Sequence, residues 1–253
     1  MALPIHVAAV QYATEADNNT ANTDRAIHLL DIAGHTADLI LMPDASFTCD
    51  WPTCQIQRHT QAARGPLTAI AAQIAVVRSA CICYCIPERD GDRIYNTAIL
   101  VCADGRVVGS HRKLALNEAE IAAGFTAGDS LRVLHTFLGR IGILIGEDCF
   151  DPGNAAKLAN EGAQIILVPS VALVDSPDAV DSALGEWERA LRESAVESHC
   201  HLVWANKIGA DRGMQAIGNS MIVAPDGDII ARAGMEEEIV RARITLTGIA
   251  QAA

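Results

Sequence analysis

Long apolar runs are missing from this chain: no stretch among its 253 residues reaches the roughly 20 that a membrane-spanning helix needs. Its opening residues, Met1-Ala2-Leu3-Pro4-Ile5-His6, lack the basic start and extended apolar region of a signal peptide. Positive charge is scarce too. Nineteen Lys and Arg stand against 31 Asp and Glu, a formal net charge of -12. That balance argues against a nucleic-acid or membrane-surface partner and leaves a small molecule or another protein. Solenoid-period repeats, low-complexity linkers and charge blocks are all absent. Nothing calls for a metal or a cofactor, and one cytoplasmic domain spanning residues 1–253 is the expectation.

Cysteine is plentiful by contrast. Cys49, Cys54, Cys81, Cys83, Cys85, Cys102, Cys149 and Cys200 are irregularly spaced, and several sit in apolar runs. That suits buried, reduced thiols better than a disulfide framework. The run Cys81-Ile82-Cys83-Tyr84-Cys85 puts three thiols on one face of a strand, where free cysteine packs as a small apolar residue.

Short β-branched runs alternate with amphipathic stretches along the chain. Strands are expected at residues 5–11, 39–42, 81–86, 97–101, 140–145, 165–168, 201–205, 220–223 and 229–233. Helices are expected at 21–33, 66–79, 153–161 and 182–198. In the first of these, Ala26, Leu29, Leu30 and Ala33 follow helical spacing. Asp-Gly pairs at Asp104-Gly105 and Asp226-Gly227 mark hairpins.

The most informative stretch is Ile141-Gly142-Ile143-Leu144-Ile145-Gly146-Glu147-Asp148-Cys149-Phe150-Asp151-Pro152, an apolar strand ending abruptly in two acids and a turn. A strand that leaves the sheet this way can lift one side chain out as a nucleophile. The segment resembles the nucleophile turn of the nitrilase superfamily, the carbon–nitrogen hydrolases, with Asp148, Pro152, Gly162 and Ala163 at the family's spacings. Further matches run along the chain: Val7 to Gln11, Asn22, Pro43-Asp44, Tyr95-Asn96-Thr97, Arg112-Lys113, Ala205 to Gly209, and Gly218-Asn219-Ser220.

That resemblance implies a four-layer α-β-β-α sandwich, commonly paired into a homodimer or larger even oligomer. Residues 153–161 and 182–198 would then form the pairing surface, with Trp187 as an aromatic anchor. It also implies a site in which a carboxylate takes a thiol proton, the thiolate attacks an amide or nitrile carbon, and a lysine steadies the oxyanion. Asp44 stands where the family has a glutamate base, Lys113 is the lysine, and Glu120 or Glu118 is the second carboxylate. The nucleophile position holds Gly146, and the N–H of Glu147 is the second oxyanion donor. Gly-Glu-Asp at 146–148 resembles the Cys-Glu-Asp of glutaminase-type members, which implies a glutamine- or ammonia-related ancestor, and Glu147 and Glu118 are the expected ligand contacts. Cys149 lies three residues past the turn and is expected to point elsewhere. Three functions fit: a catalytically silent binding or partner protein, an enzyme with non-covalent chemistry on Asp44 and Lys113, or an amidase inactivated by a Cys-to-Gly substitution.

Overall fold

The computed structural model describes residues 3–16, 18–48, 56–211 and 213–246, so Cys49 and Cys54 lie outside the described residues. Its first sheet is built from β1 (Leu3–Gln11), β2 (Leu39–Leu41), β3 (Cys81–Asp90), β4 (Arg93–Val101), β5 (Val107–Arg112) and the last strand, β15 (Glu238–Leu246). Their spatial order is β15-β1-β2-β3-β4-β5. The second sheet comprises β6 (Leu134–Thr136), β7 (Gly139–Ile143), β8 (Ile165–Pro169), β10 (His201–Ala205), β13 (Met221–Val223) and β14 (Ile229–Arg232), ordered β14-β13-β10-β8-β7-β6. A small third sheet joins β9 (Leu173–Val174), β11 (Ala210–Asp211) and β12 (Met214–Ala216).

Strand alternation decides how these layers stack. In β1, Ile5, Val7 and Ala9 face the second sheet, while Ala8 and Val10 lie under helices α1 (Asn19–Ala33) and α2 (Pro66–Arg78). In β3, Cys81, Cys83 and Cys85 face inward, and Ile82, Tyr84 and Ile86 face the same two helices. The second sheet repeats the pattern. Ile165, Leu167, Val203 and Ala205 point into the gap between sheets. Ile166, Val168, Leu202 and Trp204 point at α4 (Pro152–Asn160) and α5 (Val180–Ser198). Because both faces of the central strands are buried, the fold is a four-layer α-β-β-α sandwich. A short helix, α3 (Glu118–Ala122), sits in the connection between β5 and β6.

Local chemistry sets the ends of these elements. Asn18 caps α1 by accepting from Ala21 N, and Asp151 caps α4 with Pro152 in its first turn, where a missing N–H costs nothing. Both Asp-Gly hairpins are present, joining β4 to β5 and β13 to β14. β5 is expected only as the second arm of the Asp104-Gly105 hairpin, and β6 and β15 are not among the expected strands. β15 is a nine-residue edge strand antiparallel to β1, burying Val240, Ile244 and Leu246 while Arg241 and Arg243 face outward. Its interleaved arginines hide a two-residue alternation from a search for continuous apolar runs. Among the described residues no helix is long and apolar enough to cross a membrane.

Polar staples tie the sheets together. Gln11 of β1 accepts from both the N–H and the hydroxyl of Ser220 at 2.8 Å, and its amide donates to the carbonyls of Gly234 and Glu236. Asn206 accepts from Ala172 N and donates to Gly218 O at 2.9 Å each. These two motif residues hold loops and sheets in place.

Helix α4 lies so close on β7 that a Cβ at Gly142 would stand 2.7 Å from Leu158 Cδ1, and the buried Leu158 side chain would have to shift to admit it. Gly142→Ala is therefore expected to lose about 1–3 kcal/mol of stability by overpacking. Urea unfolding checks this; a loss below ~0.5 kcal/mol, the range of an ordinary surface change, would contradict so close an approach.

Candidate active site

β2 ends at Leu41 and delivers Met42-Pro43-Asp44 to the carboxyl edge of the first sheet. The Asp44 N–H donates to Ser170 O, at the matching edge of the second sheet. The Asp44 side chain is buried, accepting from Ala45 N at 2.6 Å and from Asn96 Nδ2 at 2.7 Å. Burial pushes this carboxyl above its ordinary value, against the opposing pull of Lys113 and of the Asn96 hydrogen bond.

Lys113 follows β5 directly, and its N–H donates to Asn96 O. Arg112, its neighbour, makes paired hydrogen bonds to buried Glu88 at 2.8 and 2.9 Å and lies 3.9 Å over the Tyr95 ring. Those contacts hold the end of β5 so that Lys113 turns inward. Its ammonium donates to both oxygens of Glu120, at 2.7 and 2.8 Å, and lies 2.5 Å from Glu147 Oε2. Burial alone would lower the Lys113 pKa; the charges of Glu147, Glu120 and Asp44 outweigh it and hold the ammonium above its ordinary range.

The choice between the two acids of α3 follows from capping geometry. Asn117 accepts from Glu120 N at 2.9 Å while Glu120 Oε2 accepts from Asn117 N at 3.0 Å, a capping box. This turns the Glu120 carboxylate into the protein, onto Lys113. Glu118 stays exposed on the rim. The spacing Asn117-x-x-Glu120 is the signal that could have separated them in the sequence.

The third component is the turn after β7. Gly146 opens a 3₁₀ turn, Gly146–Phe150, with φ of +53°, a left-handed conformation that glycine adopts without steric penalty. A Cβ built at Gly146 would stand 3.2 Å from Lys113 Nζ, so this backbone faces the ammonium directly. Asp148, fully buried, fixes the turn. One oxygen accepts from Leu114 N and Ala115 N, at 2.9 and 2.7 Å; the other accepts from Ile145 N at 3.0 Å and from His111 Nε2 at 2.8 Å. A single carboxylate thus ties the Lys113 loop to the Gly146 turn.

Asp44, Lys113, Glu118, Glu120, Gly146 and Glu147 all line one cavity of ≈410 Å³, so the structure brings all six expected residues together. Its far wall is apolar: Val171, Leu173, Met214 and Trp187. Trp187 corrects an expectation. It is 6% exposed, stacks on Trp204 at 5.2 Å and meets Phe150 edge-on, so it is a wall of its own subunit's cavity and not an anchor for another. The apolar wall is not visible in the residue pattern, and Tyr95-Asn96-Thr97 matches the family's motif without revealing that Asn96 holds Asp44. Cys149 packs in the core under α5, as expected, and its thiol is raised by burial. Among the described residues, no cysteine lines the cavity and no cluster of His, Cys, Asp or Glu could hold a metal ion.

Two outcomes follow from this geometry. Asp148→Ala leaves His111 and three backbone N–H groups without their acceptor, and is expected to cost ~3–5 kcal/mol in guanidinium unfolding, with Asp148→Asn milder. Asp44 holds its proton more tightly folded than unfolded, so it withdraws stability as pH rises from the ordinary carboxylate value of 3.8 through its raised one. Asp44→Asn removes this titration, so the melting temperature of the variant relative to the parent should rise as pH is taken from about 4 to neutral. Thermal melts at both pH values check this; a difference that stays flat or falls with rising pH would contradict it.

Known proteins share this architecture. Yeast Nit3, from Saccharomyces cerevisiae, superposes with a TM-score of 0.84 at 23% identity, over 95% of this chain and 89% of that one. An amidase from Nesterenkonia sp. superposes at 0.82 and 24% identity, covering 95% and 90%. In sequence, the omega-amidase NIT2-A of Xenopus laevis is 26% identical over 91% of this chain and 85% of its own length. A Pseudomonas protegens protein described as a hydrolase in the pqqF 5' region is 29% identical over 88% of this chain and 76% of its own. Residues 6–253 match the model of the carbon-nitrogen hydrolase family, and the chain belongs to that family.

Proposed function

We propose that this protein is a carbon-nitrogen hydrolase family member whose nucleophile position is Gly146, and that it holds a small molecule in the site as a binding or partner protein. The observation that carries the reading is at Gly146 itself. Its backbone faces Lys113 Nζ, which lies 3.2 Å from where a Cβ would stand, and no side chain projects there. A relative's solved structure describes covalent addition of the acetamide moiety of fluoroacetamide at an active-site cysteine of the Nesterenkonia amidase. In this chain glycine offers no atom for such a covalent step at the turn.

The remaining groups support binding. Lys113 is neutralised by Glu120 and Glu147, whose oxygens lie 2.5–2.8 Å from it. The Glu147 carboxylate is half-buried and occupies the ammonium from the cavity side. A ligand carbonyl would have to displace it to reach Lys113. The apolar wall of Trp187, Leu173 and Met214 offers surface for the body of a small molecule, with polar groups opposite to orient it. Loss of a covalent nucleophile lowers turnover about a million-fold in a hydrolase that depends on one.

The purified chain is expected to show no turnover on a panel of simple amides, ω-amides and nitriles, and no iodoacetamide label at the turn. Gly146→Cys has room once Lys113 shifts by a few tenths of an ångström, but its φ of +53° strains a side chain. That variant should fold with a loss of about 1–2 kcal/mol and gain a reactive thiol beside the ammonium. Combined with Asp44→Glu, it should hydrolyse part of the panel. Amide hydrolysis by the unaltered protein that vanishes in Lys113→Ala would overturn the reading.

A further inference from the structure

At the end of the first sheet farthest from the cavity, two thiols meet. Cys81 is the first residue of β3, and Cys102 directly follows the last residue of β4. These strands are antiparallel with Ile82 opposite Val101, which sets Cys81 opposite Cys102. Neither N–H spans the pair: Cys81 N donates to Asp38 O on one side, and Cys102 N to Arg106 O on the other. Such non-hydrogen-bonded pairs bring Cα atoms to ~4.5 Å, inside the 4.4–6.8 Å range that a disulfide spans. The two Sγ atoms are 3.2 Å apart, both free and both buried.

We infer that Cys81 and Cys102 form a peroxide-sensitive modification site, in which hydrogen peroxide converts the dithiol to a disulfide between adjacent strands. The two sulfurs are not equivalent. The two Sγ atoms share one hydrogen bond in which either can donate. Cys81 is fully enclosed, whereas Cys102 reaches the surface just past the end of β4, so Cys102 is the sulfur that meets a peroxide first and Cys81 is the resolving thiol. Cys83 and Cys85, two and four residues along the same face, have thiols raised by burial, and among the described residues neither has a sulfur partner at this distance. Cys102 also sits beside the turn at Asp104-Gly105 and is 4% exposed, an opening suited to an oxidant scarcely larger than water.

The chemistry balances. The Cys102 thiolate attacks one peroxide oxygen and the O–O bond breaks; the expelled hydroxide takes up the proton that Cys102 had released and leaves as water. Cys102 is then a sulfenic acid. The Cys81 sulfur attacks the Cys102 sulfur, the S–O bond breaks, and hydroxide departs with the Cys81 proton as a second water. Two thiols lose two electrons, and one peroxide becomes two waters. The product cross-links the ends of the β3–β4 hairpin and touches nothing in the cavity.

Peptide mapping of the full chain tests this without any variant. The reduced protein is treated with equimolar hydrogen peroxide, unfolded in excess alkylating agent and cut with trypsin under non-reducing conditions. Residues 79–89 and 94–106, the tryptic pieces carrying Cys81 and Cys102, should appear joined, lighter by two hydrogens than the pair of reduced peptides. Fragmentation should place the link on Cys81, and dithiothreitol should reverse it. Melting of the oxidised chain should move upward by several degrees, as a closed hairpin loop restricts the unfolded state. Cys102→Ser should abolish the link while Cys83→Ser leaves it intact. Cys102 recovered fully alkylated, or oxidised to a sulfinic acid with no link to Cys81, would overturn the inference; so would a link that forms equally well from Cys83.

Discussion

The site depends on one carboxylate that takes no part in lining it. Asp148 accepts hydrogen bonds from Leu114, Ala115, Ile145 and His111, and so joins the end of β5, the loop beyond it and the turn after β7. Buried carboxylates persist where every lone pair has a partner, and removing the acceptor would strand several donors at once. Lys113 and Gly146 are neighbours in space because of this tie. The acid sits two residues beyond Gly146, at the point where the strand becomes a turn.

A second constraint is the buried cation. Lys113 is almost fully enclosed, and an ammonium taken out of water needs compensating charge. Glu120 supplies it from α3 and Glu147 from the turn, with Asp44 close enough to add its field. The left-handed backbone of the turn suits glycine better than any other residue, so a chain lacking a side chain at position 146 keeps both the fold and the electrostatics around it. The polar framework around Lys113 closes on itself through Glu120 and Glu147.

Much of the fold is legible in the residues alone, for identifiable reasons. Central strands are continuous apolar runs because both of their faces are covered, and those at residues 165–168 and 201–205 are anticipated on that basis. Helices with one apolar stripe, such as α1, are equally visible. β15 is not, because an edge strand with one solvent face alternates apolar residues with arginines. β6 is three residues long, too short to leave a pattern. The six expected site residues converge, and of the two acids in the same short helix it is the capping box, spaced Asn117-x-x-Glu120, that turns Glu120 inward.

Strand alternation and helical spacing are local properties of the chain, and they point to one layered domain of mixed strands and helices; the motifs that resemble the carbon–nitrogen hydrolases imply the four layers and the polar groups near Gly146, with Glu118 and Glu120 left as alternatives. Other features are meetings between residues separated along the chain, set by sheet register and helix packing. Glu120 and Glu147 share Lys113, Trp187 closes its own cavity, and Cys81 meets Cys102 for that reason alone. Periodicity says which way a side chain faces, but the register of the sheet says what it faces.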